Sequence, residues 1–163
     1  MERVQLSRYY LGIDNGVSGG ITIISETGEI FVHIKTPVEK HLNYTKKKSF
    51  INRVDFRKTM SILTTFNITF CMIERSMINP MRWVASVSAI RCLEATEIIL
   101  EELQIPYQFI DSKEWQKVLL PSGLKGDQLK KAADDVAKRL FPKQVIVNSD
   151  SLLIAEYCRR IKR

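Results

Sequence analysis

Tyr9-Tyr10-Leu11-Gly12-Ile13-Asp14-Asn15-Gly16-Val17-Ser18-Gly19-Gly20-Ile21-Thr22-Ile23-Ile24 is the stretch that decides the fold of this 163-residue chain. It reads as an apolar strand ending in one carboxylate, Asp14, then a Gly/Ser/Asn-rich turn and a second apolar strand. A carboxylate at the end of a buried strand is costly unless a partner or a metal meets it. Taken alone, the stretch is equally compatible with a hairpin in which Asp14 only hydrogen-bonds its own turn. A second strand that ends in an acid, and a third acid near the C-terminus, separate the two readings.

The length favours one domain, over residues 1–163, with room for a sizeable core. With 45% hydrophobic and 26% charged residues, the composition is that of a globular protein and excludes a disordered one. No apolar run is long enough to span a bilayer, and Met1 to Ser7 lack the apolar core of a signal peptide. Cys71, Cys92 and Cys158 stand singly in apolar segments without paired metal-ligand spacing. They are expected to be reduced core thiols of an intracellular protein. The net charge of +7 attracts polyanions, nucleic acid before anionic membrane, although plain solubility also accounts for a charge of this size.

Working outward, Ile21 to Ser25 and Ile30 to Thr36 are β-rich runs around a Thr27-Gly28 turn, so the first three strands are expected to form an antiparallel meander. His41 to Lys48, with Lys46-Lys47-Lys48, reads as an exposed loop within reach of phosphates. Ile51, Val54, Met60 and Leu63 suggest an amphipathic helix from about Phe50, broken at Asn67. Ile68 to Ile73 is a continuous apolar run, as in a central strand covered on both faces, and it ends in Glu74. Met81 to Gln104 is the longest helical candidate. Its apolar surface is wider than one stripe, which implies burial on more than one side, against the sheet and against another subunit. Ile105 to Ile110 is a short strand. Asp111-Ser112 starts a helix, Asp127 caps another running to about Leu140, and Asp150 begins the last. The order implies an α/β fold: a mixed sheet, antiparallel strands first and parallel ones after, with helices on both faces.

Asp14 and Glu74 each end an apolar strand, and a helix crossing the sheet brings Asp150 within reach of both. Converging carboxylates repel one another and make a poor acid/base set. They make a good magnesium site, because hard oxygen ligands suit Mg²⁺ and two ions can stabilise the attacking and leaving oxygens of phosphodiester hydrolysis.

Gly12-Ile13-Asp14 with Gly19-Gly20, Ile73-Glu74-Arg75, Asp111 to Lys117 and Ser149 to Tyr157 together resemble the RuvC-type Holliday junction resolvases, closest to compact phage-type and organellar members. The resemblance runs from Gly12 to Tyr157 in the same order. It implies an RNase H-like fold with a five-stranded sheet and a homodimer with two active sites. It also implies paired nicking of opposed strands of a four-way DNA junction, with two Mg²⁺ per active site and Mn²⁺ as a substitute. It implies Asp14, Glu74 and Asp150 as metal ligands, and a location in the cytoplasm of a bacterium or phage-infected cell, or in an organelle. The family usually supplies a fourth acid or a His a few positions before the one matching Asp150. Here Val147, Asn148 and Ser149 stand there, and Asn148 is the nearest isostere, able to coordinate through its carbonyl oxygen but uncharged. Asn148 therefore joins the catalytic candidates, as does Lys125, a lysine for the scissile phosphate.

Lys113 and Lys117, one helical turn apart, are candidates to grip a DNA backbone together, with Lys130, Lys131, Arg75 and Arg82 as further phosphate contacts. Trp115 is expected to anchor the core, and His33 and His41 suggest no pairing. Three other readings stay open. Gly-Ile-Asp followed by glycine also occurs in actin-like ATPases and sugar kinases; Asn148 is compatible with a junction-binding member that does not cut; an RNase H-like nuclease acting on RNA–DNA hybrid differs only in substrate.

Overall fold

A computed structural model describes residues 7–163; the expectation drawn from the N-terminus falls, Ser7 apart, outside the described residues. Strand β1 (Tyr9–Asp14) lies in the middle of a five-stranded sheet. It pairs antiparallel with β2 (Gly20–Ser25), which pairs antiparallel with β3 (Ile30–Lys35). On its other side β1 runs parallel to β6 (Ile68–Glu74), and β6 runs parallel to β7 (Tyr107–Ile110). The order β3-β2-β1-β6-β7 is the expected mixed sheet, antiparallel first and parallel after.

The period-two alternation of strands sorts the apolar residues into two cores. Leu11, Ile13, Cys71 and Ile73 face α1 (Phe56–Leu63) and α2 (Trp83–Glu102), whose Leu63, Cys92, Ile99 and Leu100 are buried with them. Tyr10 and Met72 face the other way, onto α3 (Ser112–Leu119), α4 (Asp127–Leu140) and α5 (Ser149–Lys162). Trp115 sits in this second core, fully buried, as expected of an anchor. All three cysteines are buried and free.

Gly12 explains how close α5 comes. A Cβ there would stand 2.7 Å from Ala155 Cα, so the helix backbone rests directly on β1. Only the absence of a side chain permits this contact.

Several sequence expectations change. The loop expected over His41 to Lys48 is present from Asn43 to Lys48, but it is the tip of a ribbon: β4 (Val38–Leu42) and β5 (Phe50–Val54) pair antiparallel, from Val38 opposite Val54 to Leu42 opposite Phe50. The helix expected from Phe50 begins only at Phe56, where the Asp55 carboxylate accepts from Lys58 N at 2.9 Å. The helix expected from Met81 begins at Trp83, after a 3₁₀ turn at Pro80–Arg82. Asp127 does not cap α4; it lies in the first turn, where its charge suits the helix dipole, and Gly126 takes the cap with φ of +53°. α5 begins one residue before Asp150, and its cap is Asn148. Finally, α2 buries Cys92, Thr96 and Ile99 against the sheet but leaves Trp83, Val84, Ile90 and Ile98 exposed on its outer side.

Candidate active site

The strand register places the acids. Gly12 pairs with Met72 and Ile13 with Ile73, so one further step sets Asp14 beside Glu74 at the same end of the sheet. Both residues share the parity of Tyr10 and Met72, which puts them on the α5 face. Asp150, in the first turn of α5, lies close enough for its charge to act on Glu74 and for that of Asp14 to act on it.

The electrostatics of the three acids are coupled. Burial, with the charges of Asp14 and Asp150 adding to it and a hydrogen bond from Trp115 opposing, pushes Glu74 up to about 7. Burial raises Asp150 to about 6, assisted by the charges of Asp14 and Asp134 and opposed by Lys130. Asp14 is also raised by burial, with the Asn148 hydrogen bond and Lys35 opposing. Among the described residues no Lys or Arg forms an ion pair with any of the three.

Two donors aim the carboxylates. Trp115 Nε1 donates to Glu74 Oε1 at 3.0 Å, a link between β6 and α3. Asn148 Nδ2 donates to Asp14 Oδ2 at 2.8 Å, while its Oδ1 accepts from Ser151 N at 2.7 Å and caps α5. The carbonyl oxygen of Asn148 is thus taken by the helix cap, and its amide nitrogen faces Asp14. The geometry differs from the coordinating role read from the sequence, because the cap fixes which way the amide points. Gly20 makes room: a Cβ there would lie 2.7 Å from Asn148 Cβ.

Sequence reasoning missed His33 altogether. Its Nε2 accepts from Val147 N at 3.0 Å, so the proton sits on Nδ1 and is donated to Thr22 Oγ1 at 2.8 Å. Thr22 reaches Ser151 Oγ at 2.9 Å, which returns to Asn148 O at 3.2 Å. Burial and the charge of Lys35 hold His33 below its ordinary pKa, consistent with the neutral ring. This buried network, spanning β2, β3 and the start of α5, holds the segment that carries Asn148. Asn15 was also missed: its Nδ2 donates to Ser76 Oγ and, at 3.1 Å, to Ala89 O, and its Oδ1 is buried without a partner.

The basic candidates stand at four places. Lys113, Lys117 and Lys125 line one open cavity of about 530 Å³ between α3 and the Pro121 to Gly126 loop. Lys130 is exposed on α4, near enough to Asp150 to affect its titration, and Lys131 is exposed beside it. Arg82 is exposed at the end of the 3₁₀ turn. Arg75 pairs with Asp111 at 3.0 Å and stands 5.6 Å from the Phe109 ring centroid.

Three mutually repelling carboxyls without a basic partner suit a hard divalent cation in charge and donor type. As they stand, no group of three or more His, Cys, Asp or Glu side chains among the described residues is spaced to hold a metal ion.

No family model and no curated protein matches the chain. Solved structures do. Thermus thermophilus RuvC in complex with Holliday junction substrate superimposes with a TM-score of 0.60 at 10% identity, covering 93% of this chain and 90% of that one. A second Thermus thermophilus RuvC structure gives 0.59 at 13% identity, covering 94% and 96%. The yeast mitochondrial Holliday junction resolvase gives 0.43 at 15% identity, covering 91% and 75%. The chain has the RuvC fold, an RNase H-like mixed sheet with helices on both faces.

Proposed function

We propose that this chain, acting as a single domain, is an intracellular structure-specific endonuclease that resolves four-way DNA junctions by metal-dependent nicking of opposed strands. The observation that carries the proposal is the convergence of Asp14, Glu74 and Asp150, half-buried and without an ion-pair partner among the described residues, in a chain of net charge +7. A folded protein tolerates such mutual repulsion when a bound cation is part of its working state.

Asp14, Glu74 and Asp150 would hold the Mg²⁺ ions, two per site, with Mn²⁺ as a substitute. When bound, such ions lower the pKa of a water nucleophile and stabilise the departing 3′-oxygen. The protein's own contribution is orientation. Trp115 aims Glu74, Asn148 aims Asp14, and β1 holds Asp14 rigidly in the sheet. Lys125, Lys113 and Lys117 supply cations around one cavity beside α3, where a phosphate backbone would be positioned without base readout. Arg75, Arg82, Lys130 and Lys131 would serve as further phosphate contacts. The exposed apolar side of α2 is the face for a second copy, which two coordinated cuts require.

A second reading, a member that binds junctions without cutting, is favoured by one observation: Asn148 faces Asp14 with a neutral amide. The ATP-binding alternative gains no support from the fold likeness. One gel separates the readings: a four-way junction, a linear duplex and an RNA–DNA hybrid are each incubated with the protein and Mg²⁺. Paired symmetric nicks in the junction alone are expected. Binding without nicks selects the second reading, and cleavage of the hybrid alone sinks both.

A further inference from the structure

The β4–β5 ribbon contributes nothing to the carboxylate cluster, yet it is rooted beside it. β3 runs toward the Asp14 end of the sheet, since Gly20 pairs with both Asp14 and Lys35. Thr36 N then donates at 3.1 Å to the carbonyl of Gly19, in the turn that follows Asp14. The ribbon's base is closed by Asp55 N on Pro37 O at 2.9 Å and by the buried Val54, and its tip by Asn43 N on Ser49 O at 2.8 Å. It is a built projection with a defined register.

Its surface is cationic and aromatic. Lys40, Lys46, Lys47, Lys48 and Arg53 are exposed, while the ribbon's one acid, Glu39, is engaged by His41 at 2.7 Å. Leu42 and Phe50 form a rung that is 60% and 72% exposed, and Tyr44 beside it is 85% exposed. Arg91 of α2 stands 5.6 Å from the Tyr44 ring and adds another cation. Exposed rings framed by lysines suit a partner with negative charge and flat apolar faces, which is the chemistry of a nucleic-acid strand.

We propose that the β4–β5 ribbon is a second nucleic-acid contact, in which Lys46, Lys47 and Lys48 grip the phosphates of a DNA arm and Tyr44 and Phe50 lie against its strand. Five-residue strands extend roughly 17 Å, so the lysines meet phosphates up to about five base pairs from the cut. The inference rests on the junction-binding function proposed above and adds an arm contact distinct from the lysines of α3 and its following loop.

The test measures junction affinity of the full chain as a function of salt. The variant Lys46→Ala/Lys47→Ala/Lys48→Ala is expected to weaken binding about tenfold or more and to flatten the slope of log K against log salt by about 2 to 3. Tyr44→Ala/Phe50→Ala is expected to weaken binding with the slope unchanged. Arg8→Ala/Lys162→Ala/Arg163→Ala, which removes the same charge from the opposite end of the sheet, is expected to bind as the wild type does. Wild-type affinity and slope in the lysine variant overturn the role of the ribbon alone, as does an equal loss in the Arg8 variant. No junction binding by the wild type overturns the ribbon and the proposed function together.

Discussion

Asn148 carries two roles on one amide: its oxygen caps α5 and its nitrogen holds Asp14. Asp at the same position would keep the cap, but it would replace a donor to Asp14 with a fourth carboxylate. Asn148→Asp is therefore expected to lower the metal-free melting temperature and to raise Mg²⁺-dependent cleavage by about 10- to 100-fold. Unchanged rates across a magnesium titration would remove Asn148 from the reaction. The raised acids yield a second expectation. Glu74 goes from 4.5 to about 7 and Asp150 from 3.8 to about 6, so folding favours their protonated forms. Their stabilising contribution is complete below about pH 4 and is lost as pH rises through 6 to 7. In metal-free protein, the melting temperature of the wild type relative to Glu74→Gln should fall from pH 5 to pH 8, and saturating Mg²⁺ should reverse most of the fall. A flat difference would show that Glu74 is not held protonated. The three acids were legible because each marks the end or start of an element. His33 was not, because its partners Thr22 and Val147 lie 11 and 114 residues away.

At the scale of elements, α5 and β1 are built for each other. The strand offers Gly12 where the helix backbone passes, and no local signal distinguishes that glycine from one needed for a turn. Gly12→Ala is expected to destabilise the protein by about 1–3 kcal/mol. The measurement is a lowered urea midpoint with an unchanged m-value, and an unchanged midpoint would mean the helix can shift without cost. The β4–β5 ribbon was misread for a physical reason. Ile51, Val54, Met60 and Leu63 match a helical stripe by spacing, but the first two belong to a strand and only the last two to α1. A two-stranded ribbon with few buried residues leaves a weak apolar alternation.

For the whole molecule, the breadth of the apolar surface on α2 raises the expectation of two packing partners; the sheet is one, and the second is the proposed second copy of the chain. Trp83, Ile90 and Ile98 share the uncovered side. Trp83→Glu/Ile90→Glu is expected to weaken dimerisation about a hundredfold and to turn paired junction nicks into uncoordinated single ones. Light scattering checks the first effect and junction gels the second; a monomeric wild type would exclude the dimer. The sequence by itself determined the mixed sheet, its strand order in type, the three acids and the basic character, because period-two apolar runs and strand-final carboxylates are local patterns. Only the tertiary structure decided that Asn148 holds Asp14, that His33 secures Asn148, and that the lysine-rich ribbon springs from the Asp14 end of the sheet. Those contacts join segments far apart in sequence, and long-range packing and hydrogen-bond geometry leave no local trace.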